Sequence, residues 1–359
     1  MISFKCPGGV YNSTPRRVIF GNGSVSTIAD EVNHLGCSRA LVISTPGRLK
    51  MAEDVASLIG RNCVAILPEA ISQVPIELAR MGRERAAELN ADCLVSVGGG
   101  ASVGLAKGIA YENGIPIIDI PTTYSGSEVT GFCGMTIDGV KQMHISLNML
   151  ASTLIYDPSL TLGLPVKTSA ASAMNALAHC VDAVYVPTVN PVVALAAAEG
   201  ARITAKAVME VVKKPDDLQA RGELLYGAYL AGVALTGGFA LQHGLAHVLG
   251  GTFHIEHGLA HSLCLPYVTA FNSRYVPDKL LPIAKALETD VLNLGGKIYD
   301  LLGVLGLPSG LCEIGFAEEN LDKLIRITLE TDNGYNPVPL TEEAVRGIVT
   351  EMWLGRRPG

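Results

Sequence analysis

Tryptophan occurs once in these 359 residues, aromatic residues make up 5% and charged residues only 17%. With 48% hydrophobic residues the chain has ample material for a large core, which excludes a predominantly disordered polymer. A basic excess is missing as well. The formal net charge is -7, so nothing attracts nucleic acid or an anionic membrane in general, and an anionic ligand needs a local set of donors. Paired cysteines are also lacking: Cys6, Cys37, Cys63, Cys93, Cys133, Cys180, Cys264 and Cys312 stand singly, with no C-x-x-C. That excludes a disulfide framework and a zinc ribbon and fits a reducing compartment. No apolar run reaches the roughly 18 residues of a membrane helix. The opening "MISFKCPGGVYNSTPRR" has no apolar core of signal-peptide length. A cytoplasmic location without nucleic-acid or membrane partners is expected.

What the chain does contain is an alternation of β-branched runs and helical patterns over its first 160 residues. "RALVIST" (39–45), "CVAILP" (63–68), "DCLVSV" (92–97) and "IPIIDIP" (115–121) are nearly continuous apolar stretches. Strands buried on both faces of a parallel sheet have this composition. Amphipathic segments at 51–60 and 75–90 lie between them. The alternation predicts a doubly wound α/β domain, with ligands beyond the carboxyl ends of its strands. Residues 132–157 read as a β-hairpin turning at Asp138-Gly139, then a closing strand. From Thr168 the texture changes to Ala-rich helical stretches such as "SAASAMNALAHCVDAVYV". The length allows two domains. The boundary is placed near 160, giving an α/β nucleotide-binding domain over 1–160 and an all-helical domain over 161–359. No internal repeat or low-complexity linker is present.

Three strand ends carry loops suited to chemistry. "LVSVGGGASVGLAKGIA" (94–110) sets three glycines after a strand and before a helix. There the backbone can approach a phosphate, and the helix N-terminus offers N–H groups and partial positive charge. Gly98, Gly99 and Gly100, with Ala101 and Ser102, form the candidate pyrophosphate cradle. The spacing is not G-x-G-x-x-G, and a tight turn without ligand would use the same residues. "IPTTYSGSEVT" (120–130) adds Thr122, Thr123 and Ser125 as candidate nucleotide contacts and Tyr124 as a candidate donor. An ordinary polar turn is the competing reading. After the strand at 39–45, Ser44, Thr45 and Pro46 are offered to a coenzyme, with Arg48 nearby and no acidic residue.

Five of the eight histidines fall in "HGLAHVLGGTFHIEHGLAH" (243–261). His243 and His247 share a helical face at i, i+4, and His257 and His261 do so in a second helix beginning near Glu256. Asn175 and His179 have the same spacing on the earlier helix "SAASAMNALAHCVDA". Singly, each histidine reads as a satisfied core or surface residue. Together, paired polar groups inside apolar surface are unfavourable unless they bind something, and a metal ion is the first ligand such a cluster suggests.

The "GGG…S…AK" loop, the "PTT…GSE" loop, "YDPSLTLGLP", the "NALAH" helix and "HGLAHVLGGTFHIEHG" follow one another in a known order. By these motifs the chain resembles, over nearly its whole length, the iron-containing (group III) alcohol dehydrogenase superfamily. The resemblance implies a nucleotide-binding α/β domain, a helical domain and an active-site cleft between them, an architecture shared with dehydroquinate synthase. It also implies a metal held by one aspartate and three histidines, at positions that here are Asn175, His179, His243 and His257.

Asn175 is the departure. An amide oxygen is a far weaker ligand than a carboxylate, and three neutral imidazoles leave a dication's charge uncompensated. Loss of tight metal binding is therefore expected. Asn175, "PTTYSGSE" and the tail "NGYNPVPL…LGRRPG" resemble one subgroup in particular, the maleylacetate reductases. That resemblance implies a homodimer that uses NADH or NADPH, without a metal, to reduce the carbon–carbon double bond of maleylacetate to 3-oxoadipate in aromatic-compound degradation.

The chemistry is compatible with a metal-free site. A dicarboxylate enone is already activated for hydride addition, and the resulting enolate can be stabilised by imidazolium or hydrogen-bond donors. Histidine is a suitable acid for the protonation that follows. On this basis His243 and His257 are expected as proton donor and enolate stabiliser, with His179 and Asn175 holding the substrate. His247, which in the family lies towards the nicotinamide, would position coenzyme and substrate, and Tyr124 is a second candidate donor. His254 and His261 are expected to be structural or to back the residues that touch the substrate. Many NAD-specific members of the family carry an aspartate after the first strand; its absence here leads us to expect use of both coenzymes.

Three competing functions make different demands. A metal-dependent alcohol or polyol dehydrogenase would need Asn175 as a ligand. A non-catalytic nucleotide-binding protein would bind coenzyme without oxidising it. A lyase such as dehydroquinate synthase would want a fuller metal site and a more basic phosphate pocket.

Overall fold

The computed structural model describes residues 17–138 and 140–359. Two compact units divide in sequence between Leu164 and Pro165. The first runs β1 (Arg17–Phe20), α1 (Ile28–His34), β2 (Ala40–Ile43), α2 (Leu49–Ile59), β3 (Cys63–Leu67) and α3 (Ile76–Glu88). It continues with β4 (Cys93–Gly98), α4 (Gly100–Asn113), β5 (Ile117–Pro121), β6 (Phe132–Ile137), β7 (Val140–Ile145) and β8 (Thr153–Tyr156).

Six strands form one sheet in the order β1-β8-β5-β4-β2-β3, every neighbouring pair parallel. The apolar runs of the sequence became β2 to β5. Of these β2, β4 and β5 are buried along their whole length, as strands covered on both faces must be. On one face Val42, Val95, Val97, Ile118 and Ile120 pack with Ile28 and Val32 of α1 and Val55 and Ile59 of α2. Each such side chain contributes about 1.5–3 kcal/mol by leaving water. Helices α3 and α4 pack together, and Val103, Leu105, Ala106, Ile109 and Ala110 of α4 are all buried.

Strand β1 was not anticipated. It is a four-residue, partly exposed edge strand paired with β8 from Arg17↔Thr153 to Phe20↔Tyr156, too short to show a period. The expected hairpin is β6–β7, antiparallel from Phe132↔Ile145 to Ile137↔Val140. Asp138 takes the left-handed conformation its turn requires, at φ 49; Gly139 lies outside the described residues.

The second unit is helical: α5 (Val166–Ala183), α6 (Pro191–Lys213), α7 (Leu218–Leu235), α8 (Leu241–Phe253), α9 (His257–Ser273), α10 (Pro277–Ala286), α11 (Leu294–Leu305), α12 (Leu321–Glu330) and α13 (Glu342–Leu354). Local chemistry sets the starts. Asn190 accepts hydrogen bonds from the Val192 and Val193 N–H groups ahead of α6, and Glu256 from Gly258 and Leu259 ahead of α9. Helix α5 packs against α6, α7 and α9, and α8 against α9, so the polar residues of α5, α8 and α9 share one interior. Leu245, Leu249, Leu263, Val268, Ile325, Val349 and Met352 form the adjoining core. Among the described residues no helix is long and apolar enough to cross a membrane.

Candidate active site

In the first unit the glycine turn joins β4 to α4. Gly98 has φ +144, a conformation side chains rarely adopt, and a Cβ there would meet Ser102 Oγ at 2.5 Å. Gly99 is the N-cap of α4 and, having no side chain, leaves the first-turn N–H groups uncapped. A Cβ at Gly99 would lie 2.8 Å from Thr123 Cγ2, whereas one at Gly100 would meet nothing within 4 Å. Ser102 Oγ is buried with no hydrogen-bond partner among the described residues. Uncapped N–H groups and an orphaned hydroxyl beside open backbone form a cradle for an anion.

The second loop is pinned from below. Buried Lys107 donates to Ser127 O at 2.6 Å, Phe132 O at 3.0 Å and Thr130 Oγ1 at 3.3 Å. The Thr122 N–H donates to Gly98 O at 2.9 Å and ties this loop to the glycine turn. Thr123 and Ser125 are partly exposed, whereas Thr122 and Tyr124 are buried. At the end of β2, Ser44 is buried, its N–H given to Leu67 O at 3.1 Å and its hydroxyl to Thr45 O at 3.3 Å. Thr45 is partly exposed and Pro46 exposed, and Gly47, Arg48, Lys50, Met51 and Leu58 help line a pocket of about 310 Å³.

Beneath the loop, Glu128 accepts from Tyr156 Oη at 2.7 Å and Ser125 Oγ at 3.4 Å. Burial pushes its carboxyl above the usual range, offset only in part by hydrogen bonds from its own N–H, Tyr156 and Ser125 and by the charge of Lys107. A raised folded-state value means that the fold favours the neutral form. Stability is then lost as pH rises from the ordinary value of 4.5 through the raised one. Glu128→Gln, which keeps an acceptor for Tyr156, is expected to melt near wild type at pH 4.5 and above it at pH 8. Thermal melts at both values check this, and a difference that does not grow with pH contradicts it.

In the second unit α5 presents Asn175, His179 and Asp182 at i, i+4 and i+7, α8 presents His243 and His247, and α9 His257 and His261. His179 Nδ1 lies 2.6 Å from His243 Nε2, and His243 Nδ1 lies 2.8 Å from Asp182 Oδ2. Ring centroids are 4.7 Å apart for His243 and His261, 4.5 Å for His257 and His261, and 5.9 Å for His247 and His257. His179 and His243 are buried; His247 and His257 are partly exposed. Asn175 is buried, with no hydrogen-bond partner for Oδ1 among the described residues.

His254, the residue after α8, takes a left-handed turn at φ 58 and is exposed. His261 is fully buried inside the cluster, with Nδ1 3.2 Å from Gln242 Oε1. Burial first, then the neighbouring His257, His243, His179 and His247, hold its pKa well below the usual histidine range. It stands there as a neutral ring.

Two residues that spacing did not single out, Asp182 and Phe239, also contribute, and the quoted tail gains a place. Asp182 accepts from the Ala240 N–H at 2.7 Å, from the His243 N–H at 3.4 Å and from the Tyr185 hydroxyl. The ring of Phe239 lies 5.4 Å from that of His243 and 5.6 Å from that of His247. The tail segment "NGYNPVPL" braces Phe239: Asn333 Nδ2 donates to Phe239 O at 2.8 Å, and Asn336 exchanges bonds of 2.9 and 3.3 Å with Asn272. An acid three residues after His179 in an Ala-rich helix was the available signal for Asp182.

Residues 15–158 match the iron-containing alcohol dehydrogenase family, and 169–353 match the C-terminal part of the Fe-containing alcohol dehydrogenase family. A maleylacetate reductase of Burkholderia cepacia is 41% identical over 344 residues, covering 95% of this chain and 97% of its own length. The crystal structure of maleylacetate reductase from Rhizobium sp. strain MTP-10005 is 38% identical, with a TM-score of 0.92 over 98% of this chain and 99% of that one. The corresponding structure from Agrobacterium tumefaciens is 37% identical, with a TM-score of 0.93 over 98% of this chain and 100% of that one.

Proposed function

Because the chain belongs to the iron-containing alcohol dehydrogenase family and is an oxidoreductase, we propose that it reduces the carbon–carbon double bond of maleylacetate to 3-oxoadipate, with NADH or NADPH and without a metal ion. The observation that carries the proposal is Asn175 beside a directly hydrogen-bonded His179–His243 pair, where the family's resemblance implies an aspartate and two histidines on a metal.

The residues at those positions do not fit a metal. His179 and His243 turn ring nitrogens on each other at 2.6 Å, so a proton occupies the line between two would-be ligands. Asn175 brings only a neutral amide, and Asp182, the carboxylate hydrogen-bonded into the cluster, is committed to His243, two backbone N–H groups and Tyr185. Neutral imidazole and amide donors leave a dication's charge uncompensated.

A dinucleotide does fit the glycine turn. Gly98, Gly99, Gly100, Ala101 and Ser102 would hold its pyrophosphate with uncapped N–H groups and the orphaned hydroxyl. Thr122, Thr123 and Ser125 would extend that contact, and Thr45 and Pro46 would meet the adenosine ribose, with Ser44 completely buried behind them. When bound, the nicotinamide supplies a hydride to the enone carbon β to the ketone. The hydrogen-bonded His243–His179 pair, carrying one proton more than two neutral rings, then stabilises the enolate oxygen through the outer ring nitrogen of His179, and His257 delivers a proton to the adjacent carbon, so the double bond gains one hydride and one proton. Asn175 holds a substrate carboxylate through its amide N–H, His247 positions substrate against coenzyme, and Tyr124 supports the coenzyme loop.

The test is oxidation of NADH and of NADPH by maleylacetate, with simple aldehydes as comparison. Turnover of maleylacetate at least a hundredfold faster is expected, with the two coenzymes within about a hundredfold, or 2.7 kcal/mol, of each other. Faster reduction of a simple aldehyde would contradict the substrate, and a larger preference for NADH would contradict the role given to the acid-free end of β2.

A further inference from the structure

The hydrogen bonds around Asp182 run towards it. Ala240 N–H at 2.7 Å, His243 N–H at 3.4 Å and the Tyr185 hydroxyl all donate to its two oxygens, and His243 Nδ1 closes the set at 2.8 Å. Asp182 is completely buried. Burial, then the charge of Asp182, holds the Tyr185 hydroxyl well above the ordinary phenol range, so Tyr185 remains a donor. A carboxylate surrounded in this way can only accept.

From this arrangement we infer that Asp182 is a positioning residue for the reaction: it fixes His243 in the tautomer with hydrogen on Nδ1 and its lone pair on Nε2. The inference rests on the proposed role of His243. Its consequence passes one residue further. With Nε2 of His243 an acceptor, the 2.6 Å contact is satisfied only when His179 donates from Nδ1. One buried carboxylate on α5 thus orders two rings, one of them on α8. The N–H of Ala240, just before α8, anchors the same oxygen and holds the helix start against α5. Without the carboxylate, nothing in this set of contacts distinguishes the two nitrogens of either ring.

Asp182→Ala is the direct test because Nδ1 of His243 and the backbone N–H groups share one oxygen, and removing it takes away the acceptor that selects the tautomer. Nitrogen-15 NMR of histidine-labelled enzyme, with His243 assigned through His243→Gln, is expected to show protonated-type Nδ1 and lone-pair-type Nε2 in the wild type, and a mixture of the two tautomers in Asp182→Ala. By analogy with other buried carboxylate–histidine pairs, kcat of Asp182→Ala is expected to fall on the order of a thousandfold. KM and the coenzyme Kd stay within about threefold, because no atom of Asp182 touches either ligand. A wild-type spectrum with lone-pair-type Nδ1 overturns the inference, and it needs no variant, so it decides even if Asp182→Ala does not fold. Mixed tautomers with kcat within threefold of wild type also overturn it, as does a parallel loss of coenzyme affinity. The spectra stand whether or not maleylacetate is the substrate, so failure of the substrate assignment is seen separately.

Discussion

Gly99→Val is expected to weaken coenzyme binding by at least about a hundredfold, roughly 2.7 kcal/mol, with a smaller loss of stability from the displaced loop. Gly99 lies at φ -94, where any residue is comfortable, so the backbone carries no strain that the substitution would release. Its Cβ, however, falls 2.8 Å from Cγ2 and 3.1 Å from Oγ1 of Thr123, so the loop on β5 must retreat. The added methyl groups then occupy the space that the uncapped N–H groups of α4 leave for an anion. Fluorescence titration with NADH measures the loss. Binding within threefold of wild type would show that the phosphate is not held at this turn.

His243→Ala and His257→Ala are expected to reduce kcat by about a hundred- to ten-thousandfold, the range for removing a general acid or its partner. The two differ in what they leave behind. His243→Ala strands Asp182 and His179 in a buried site and is expected to lower stability too, whereas partly exposed His257 leaves no such pair. His254→Asn is the control. Its residue is exposed and left-handed at φ 58, a conformation asparagine tolerates, so turnover is expected to stay within about twofold. Steady-state kinetics decide the matter. Near wild-type turnover in both His243→Ala and His257→Ala would remove the histidines from the chemistry.

The sequence made legible whatever is local and repetitive. Strands β2, β4 and β5 are buried on both faces, so their runs of Leu, Val and Ile announce them; β1, half exposed on an edge, has no such run. The i, i+4 spacings placed His243 with His247 and His257 with His261, and the start of α9 after Glu256 follows from its capping side chain. Spacing could not separate His254 from His261. A single left-handed residue ends α8 and turns His254 to solvent, while α9 carries His261 into the cluster. The signal for Asp182 was weak for another reason. A lone acid on a helix reads as solvated, and what buries this one is an N–H 58 residues away, together with Tyr185 and His243.

A site built on the family's metal-binding pattern is expected to work here as hydrogen-bonded imidazoles. Dialysis against a strong chelator, elemental analysis to confirm metal removal, and NADH oxidation by maleylacetate before and after decide this. Turnover is expected to be unchanged by complete metal removal and unaffected by added iron or zinc. Collapse of activity on chelation, restored by either ion, would contradict it.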